Sequence, residues 1–180
     1  MNRRRFLAGL AALAAAPAGA HTPYRQWKVL RERFLLVHSV RADPPSDALA
    51  ERIVATLAQA LPEANAMVAR APRVDRLASL LTTGQAVLGV MRPQDAADLF
   101  HGRGAFEGYD GRALRCLLTV DAHVLATVES FPRHHAWLVT AALVEHAAEL
   151  RPRVPAPDDG PVPVHPGALA YARGESLEAS

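Results

Sequence analysis

From Phe34 onward, short apolar runs alternate with stretches in which apolar residues return every three or four positions. Strands feeding helices in a layered α/β domain have this pattern. Phe34–Ser39 reads as a strand. Leu49, Ile53, Leu57 and Leu61 then form one apolar stripe on a helix from about Pro44 to Leu61, which Asp43 is placed to cap and Pro44 to open. A second unit joins a strand, Ala66–Ala69, to a helix, Pro72–Thr83, that turns Leu77, Leu80 and Leu81 inward and stops at Gly84. The third is a strand, Ala86–Met91, with a helix opening at Pro93. A glycine-rich loop, Gly102–Gly111, carries Phe106 and Tyr109. Two strand-like runs follow, Ala113–Val120 and Val124–Val128, as a hairpin or one bent strand. The last long helix is expected at His134–Leu150, with Trp137, Ala141, Val144 and Ala148 on one stripe, and the proline-rich tail from Arg151 reads as extended along the surface. The predicted fold class is α/β: one open, mostly parallel sheet with helices on both faces, over residues 34–150.

Ahead of this domain lie two segments of different character. Residues 1–20 place Arg3, Arg4 and Arg5 before Phe6-Leu7, an alanine-rich apolar run, and Ala18-Gly19-Ala20. These are the three parts of a signal peptide. Consecutive arginines before a weakly hydrophobic core predict the twin-arginine route, cleavage after Ala20 and a periplasmic mature chain. Residues 21–33 form a basic lead-in carrying Trp27. Removing residues 1–20 leaves 17 basic against 18 acidic residues, a net formal charge of −1. A nearly neutral mature chain gives no charge signal for nucleic acid. Cys116 is the single cysteine, so no internal disulfide is available and a small buried side chain is expected.

One regularity bears on function. Each of the first three units passes from its strand to its helix through arginine and proline: Arg41-Ala42-Asp43-Pro44, Arg70-Ala71-Pro72 and Arg92-Pro93. If the strands are parallel, these turns share the carboxyl rim of the sheet, where open α/β sheets bind ligands. Arg41, Arg70 and Arg92 are then candidate contacts for an anion, with free N–H groups at the helix starts adding positive potential. Asp43 and Ser46 are candidates to organise the first turn. The alternative is that each arginine pairs with a nearby acid, Asp43, Asp75 or Asp95, and ties turn to helix.

No nucleophile elbow, phosphate loop, dinucleotide fingerprint or His-Glu-x-x-His occurs in the sequence. His134-His135 and His146 lack a carboxylate at zinc-site spacing, and Asp158-Asp159-Gly160 fixes no cation. No catalytic residues, metal or cofactor are therefore assigned, and the expectation is a protein that is not an enzyme.

Several stretches resemble a known family. Arg76-Leu77-Ala78-Ser79-Leu80-Leu81-Thr82-Thr83-Gly84-Gln85, the loop Gly102-Arg103-Gly104-Ala105-Phe106-Glu107 with Leu114-Arg115, Phe131-Pro132 with Trp137–Leu143, and above all Pro161-Val162-Pro163-Val164-His165-Pro166-Gly167-Ala168 resemble the TAXI branch of the solute-binding proteins that serve tripartite ATP-independent periplasmic (TRAP) transporters. The resemblance implies a lobe of the type II periplasmic binding proteins, an organic anion as ligand, and transporter membrane subunits or another periplasmic protein as partner. Two departures stand out. A stiff turn, Arg41-Ala42-Asp43-Pro44-Pro45-Ser46, replaces the family's glycine-rich ligand loop. The chain also runs from the strand near Leu118 almost directly to Phe131, where the family's second lobe would intervene. The expected protein is thus a one-lobed, non-enzymatic binding module. The alternative is an accessory interaction scaffold for an exported enzyme or membrane protein. A homodimer would be one way to rebuild a two-walled cleft.

Overall fold

The computed structural model of the chain describes residues 34–176; the expected signal peptide at 1–20 and basic lead-in at 21–33 lie outside them. Strand β1 (Leu36–Val40) leads into helix α1 (Pro44–Ala60), β2 (Met67–Ala71) into α2 (Val74–Thr82), and β3 (Leu88–Met91) into α3 (Pro93–His101). Strands β4 (Leu114–Val120) and β5 (His123–Val128) follow, then α4 (Arg133–His146) and α5 (Pro166–Ala172). Strand β2 runs two residues beyond its expected end because Ala71 still pairs with Val40. Pro72 consequently lies in the turn rather than in the helix.

The five strands lie in the order β2-β1-β3-β5-β4. β1 is parallel to β2 and β3, and β5 is antiparallel to β3 and β4. Four strands therefore run one way and β5, inside the sheet, runs the other. The chain steps from β1 outward to β2, then back past β1 to β3. Right-handed crossovers in opposite directions put α1 and α2 on opposite faces. Helix α1 packs with α4 on one face. On the other, Leu77 and Leu81 of α2 lie against Gly89 in β3. The sheet is an open α/β layer with helices on both sides, and Val37, Leu88, Val90, Leu117, Leu118 and Leu125 form its buried centre. Cys116 belongs to this core, and burial pushes its thiol up to about 12, which leaves it un-ionised and unreactive at neutral pH.

Strands β4 and β5 form a hairpin turned by Asp121-Ala122, with Val120 paired to His123. Residues 151–165 hold no helix, with a turn at 157–159 between two short pairings to β4, yet the tail is not merely a surface segment. Its backbone closes the outer edge of β4: Thr119 and Arg153 exchange hydrogen bonds of 2.8 and 2.9 Å, Cys116 N–H donates to Pro163 O, and His165 N–H donates to Cys116 O, both at 2.9 Å. Val162 and Val164 are buried there, and α5 then docks on α4. His165 Nδ1 accepts from the Gly167 N–H at 3.1 Å, an N-cap at the start of α5. The Pro-x-Pro-x-His-Pro-Gly segment thus seals the sheet and starts a helix. The expected Trp137 stripe on α4 faces the docked tail: Trp137 Nε1 donates to Glu175 O, and its ring meets Tyr171 edge-on. The buried residues of α4 are Ala136, Val139, Thr140, Ala141, Ala142 and Leu143, so of the expected stripe Ala141 is buried, and Ala148 lies beyond the helix end.

Gly167 is the tightest point of this docking. A Cβ there would stand 2.3 Å from Arg133 O and 2.7 Å from the Ala136 Cβ. Gly167→Ala should therefore force α5 off α4 and destabilise the fold by about 1–3 kcal/mol, measured by urea unfolding. An unchanged midpoint would mean that α5 adds nothing to the cooperative core.

Candidate functional site

Strands β2, β1 and β3 end side by side. Arg41 N–H donates to Ala71 O at 2.8 Å, and adjacent strands in a sheet lie roughly 4.8 Å apart. Because β5 runs in reverse, its first residue, His123, joins the same rim beside Met91 and Val124. The carboxyl rim thus carries Arg70, Arg41, Arg92 and His123 in that order. The three arginines foreseen from the sequence do share one rim, but their surroundings differ.

At the centre stands Asp43, only 8% exposed. Its Oδ1 accepts from Arg92 Nη2 at 3.0 Å and its Oδ2 from His123 Nε2 at 2.9 Å. A carboxylate offers only lone pairs, so Nε2 of His123 carries the hydrogen. Burial acts to raise the Asp43 carboxyl, but the hydrogen bonds and charges of Arg92 and His123 outweigh it and hold the pKa below the ordinary value. Asp43 occupies the N-cap position of α1, yet its side chain makes no capping bond, contrary to the expected cap. Pro44 and Pro45 carry no N–H, and the Ser46 and Asp47 N–H groups go to Asp43 O. The backbone satisfies the helix start, which frees the carboxylate for Arg92 and His123. For the same reason α1 adds no free N–H to the rim. Asp95, in the first turn of α3, is shifted up chiefly by burial, with the Asp43 and Asp98 charges adding to the effect and Arg92 opposing it.

Ser46 is fully buried and stitches two strands together. Its Oγ accepts from Val40 N–H at 2.9 Å and donates to Val90 O at 3.3 Å. Arg70 is the second departure from expectation. Its Nε donates to Asp47 and its Nη2 to Glu51, the latter at 2.6 Å. It pairs with acids of α1 rather than with Asp75, which is held by Arg73. The extra residues of β2 explain this: Arg70 lies within the strand opposite Ser39, and Ser39 itself donates to Asp47 at 2.7 Å. Two carboxylates neutralise Arg70, whereas Arg41 and Arg92 are exposed at the rim. The Arg92 side chain keeps 63% of its surface accessible while Asp43 anchors one nitrogen. An anion approaching this rim therefore meets two guanidiniums, one of them prepositioned.

No protein-family model matches the chain, and no curated protein matches it either. Among the described residues no group of three histidine, cysteine or acidic side chains is arranged to hold a metal ion.

His123 escaped the sequence reading. With hairpin and bent strand both open, it had no assigned end of the sheet. A hairpin turned at Asp121-Ala122 would have brought it to the rim of β3. The sign of the Asp43 shift sets an expected pH dependence. A depressed carboxyl contributes stability that is complete above its unfolded pKa, about 3.9, and is lost as pH falls through the lower folded value. Asp43→Asn should cost roughly 1–3 kcal/mol at pH 7 and weaken the acid decline below about pH 4. Urea unfolding from pH 3 to 7 tests both; parallel curves for the two proteins would exclude the Asp43 pairing as their source.

Proposed function

We infer that the chain is a non-enzymatic binding module that presents a small organic anion, a carboxylate or phosphate, at the carboxyl rim of its sheet. Arg92 carries this reading: Asp43, itself held by His123, anchors one guanidinium nitrogen while most of the Arg92 side chain stays accessible. Exposed Arg41 stands one strand away. Arg70, spent on Asp47 and Glu51, is not a contact. Asp43 and Ser46 serve as positioning residues, the first for Arg92 and the second for the turn that carries Arg41.

The setting we propose is the bacterial periplasm, reached by twin-arginine export, with the module acting beside a TRAP-type transporter or a sensor. Its resemblance to the TAXI solute-binding proteins and its signal-like first 20 residues support that setting. The two-residue turn between β4 and β5, where the family's second lobe would be inserted, supports a one-lobed relative. One lobe does not enclose a solute by hinge closure, so the opposite wall is assigned to a partner: transporter membrane subunits, another periplasmic protein or a second copy. One observation favours the alternative of a protein-interaction scaffold. Met67, 44% exposed, lies on β2, an outer strand that pairs on one side only among the described residues, where a partner could dock.

A ligand that binds only the folded state raises its stability. A thermal-shift screen of the purified protein against small carboxylates and phosphates should find an anion that raises Tm. The shift should vanish in Arg92→Ala, shrink in Arg41→Ala and persist in Arg70→Ala. No shift with any anion would overturn the anion reading in favour of the scaffold.

A further inference from the structure

The far end of the same rim holds a second, separate feature. Thr119, Asp121, Arg151 and Arg153 line a recess of about 240 Å3 at the end of β4. Unlike Arg70, Arg73, Arg92, Arg115 and Arg133, which pair with acids, Arg151 and Arg153 form no ion pair among the described residues, and neither does Asp121. Three unspent charges, two positive and one negative, therefore meet in one small space.

The backbone that carries them is held firmly. The paired hydrogen bonds of 2.8 and 2.9 Å between Thr119 and Arg153 clamp Arg153 to the sheet. Arg151 adopts the left-handed conformation (φ 47°), as does Asp121 (φ 50°). They are two of the three non-glycine residues in that region among the described residues. Arg151 terminates the short 3-10 turn Ala148–Leu150, a place glycine fills with less strain, and Pro152 follows directly. A bulky charged residue at a glycine-like position beside a charged recess points to use of its side chain rather than to folding.

We propose that this recess binds a small organic monoanion carrying a hydroxyl next to its carboxylate. The guanidiniums of Arg151 and Arg153 take the carboxylate, and the ligand hydroxyl donates to Asp121. The net charge of the three side chains, +1, matches one carboxylate, and the hydroxyl supplies the donor that the acid requires. A plain carboxylate would set a second negative charge toward exposed Asp121 with no donor between the two.

The test is isothermal titration of the full chain with lactate and with propionate, which lacks only the hydroxyl, at fixed ionic strength. Lactate should bind and raise Tm. Propionate should bind about tenfold more weakly, the loss of one hydrogen bond to a charged group. Arg153→Ala and Arg151→Gly should each abolish lactate binding, while Arg151→Gly, freed of its strained φ, should match or exceed the unliganded protein in Tm. Equal binding of both acids, binding of neither, or binding retained in both arginine variants would overturn the proposal. So would a clear fall in Tm for Arg151→Gly, which would make the arginine a folding residue. Lactate binding lost in Arg92→Ala but kept in Arg151→Gly would move the ligand to the central rim, overturning this site and leaving the proposed function intact.

Discussion

A carboxylate at the centre of the rim organises what surrounds it. Asp43 is nearly out of water, and a buried charge is tolerated only with partners and hydrogen bonds supplied. Its two partners come from different strands: Arg92 from the end of β3 and His123 from the start of β5. Satisfying this one acid therefore fixes the first strand-to-helix turn against the third and against the reversed strand beside it. Ser46, with bonds to the backbones of β1 and β3, reinforces the same junction from within. A stiff turn of two prolines suits this role better than a flexible loop, because it holds the acid where its partners converge.

The alternation of apolar runs was enough to read the α/β layer, since strand and helix periods are local properties of the sequence. The rim was legible for the same reason: parallel strands bring their ends together whatever the side chains do. What each arginine does was not local. Arg41, Arg70 and Arg92 look alike in sequence, yet Arg70 is taken up by Asp47 and Glu51 one layer away, a result of β2 extending to Ala71. His123 depended on a choice between hairpin and bent strand that only tertiary packing makes. The tail misled because proline-rich composition signals a lack of helix, while the pairing of Pro163–His165 with Cys116 depends on an edge strand elsewhere in the chain.

The arginines thus divide into two groups. Some are consumed in holding turns to helices, and their charge is cancelled within the fold. Others, Arg41 at the rim and Arg151 and Arg153 in the recess beside β4, form no ion pair among the described residues, while Arg92 gives one nitrogen to Asp43 and keeps most of its side chain in solvent. Sequence position does not separate the groups; the presence of a carboxylate within reach does. Charge left uncancelled on a rigid backbone is a means of recognising anions at little conformational cost.

The two edges of the sheet are treated differently. At β4 the chain's own C-terminal segment occupies the backbone groups, while among the described residues no strand pairs with the outer side of β2. Both outer strands run in the same direction, so with β4 uncovered, the β4 edge of one copy would present a fit for the β2 edge of the next. Such a contact is head-to-tail and need not close on itself. By covering β4, the tail withholds one half of that repeating joint. Among the described residues that leaves the β2 edge alone to pair, which permits a finite partnership and not an unending stack.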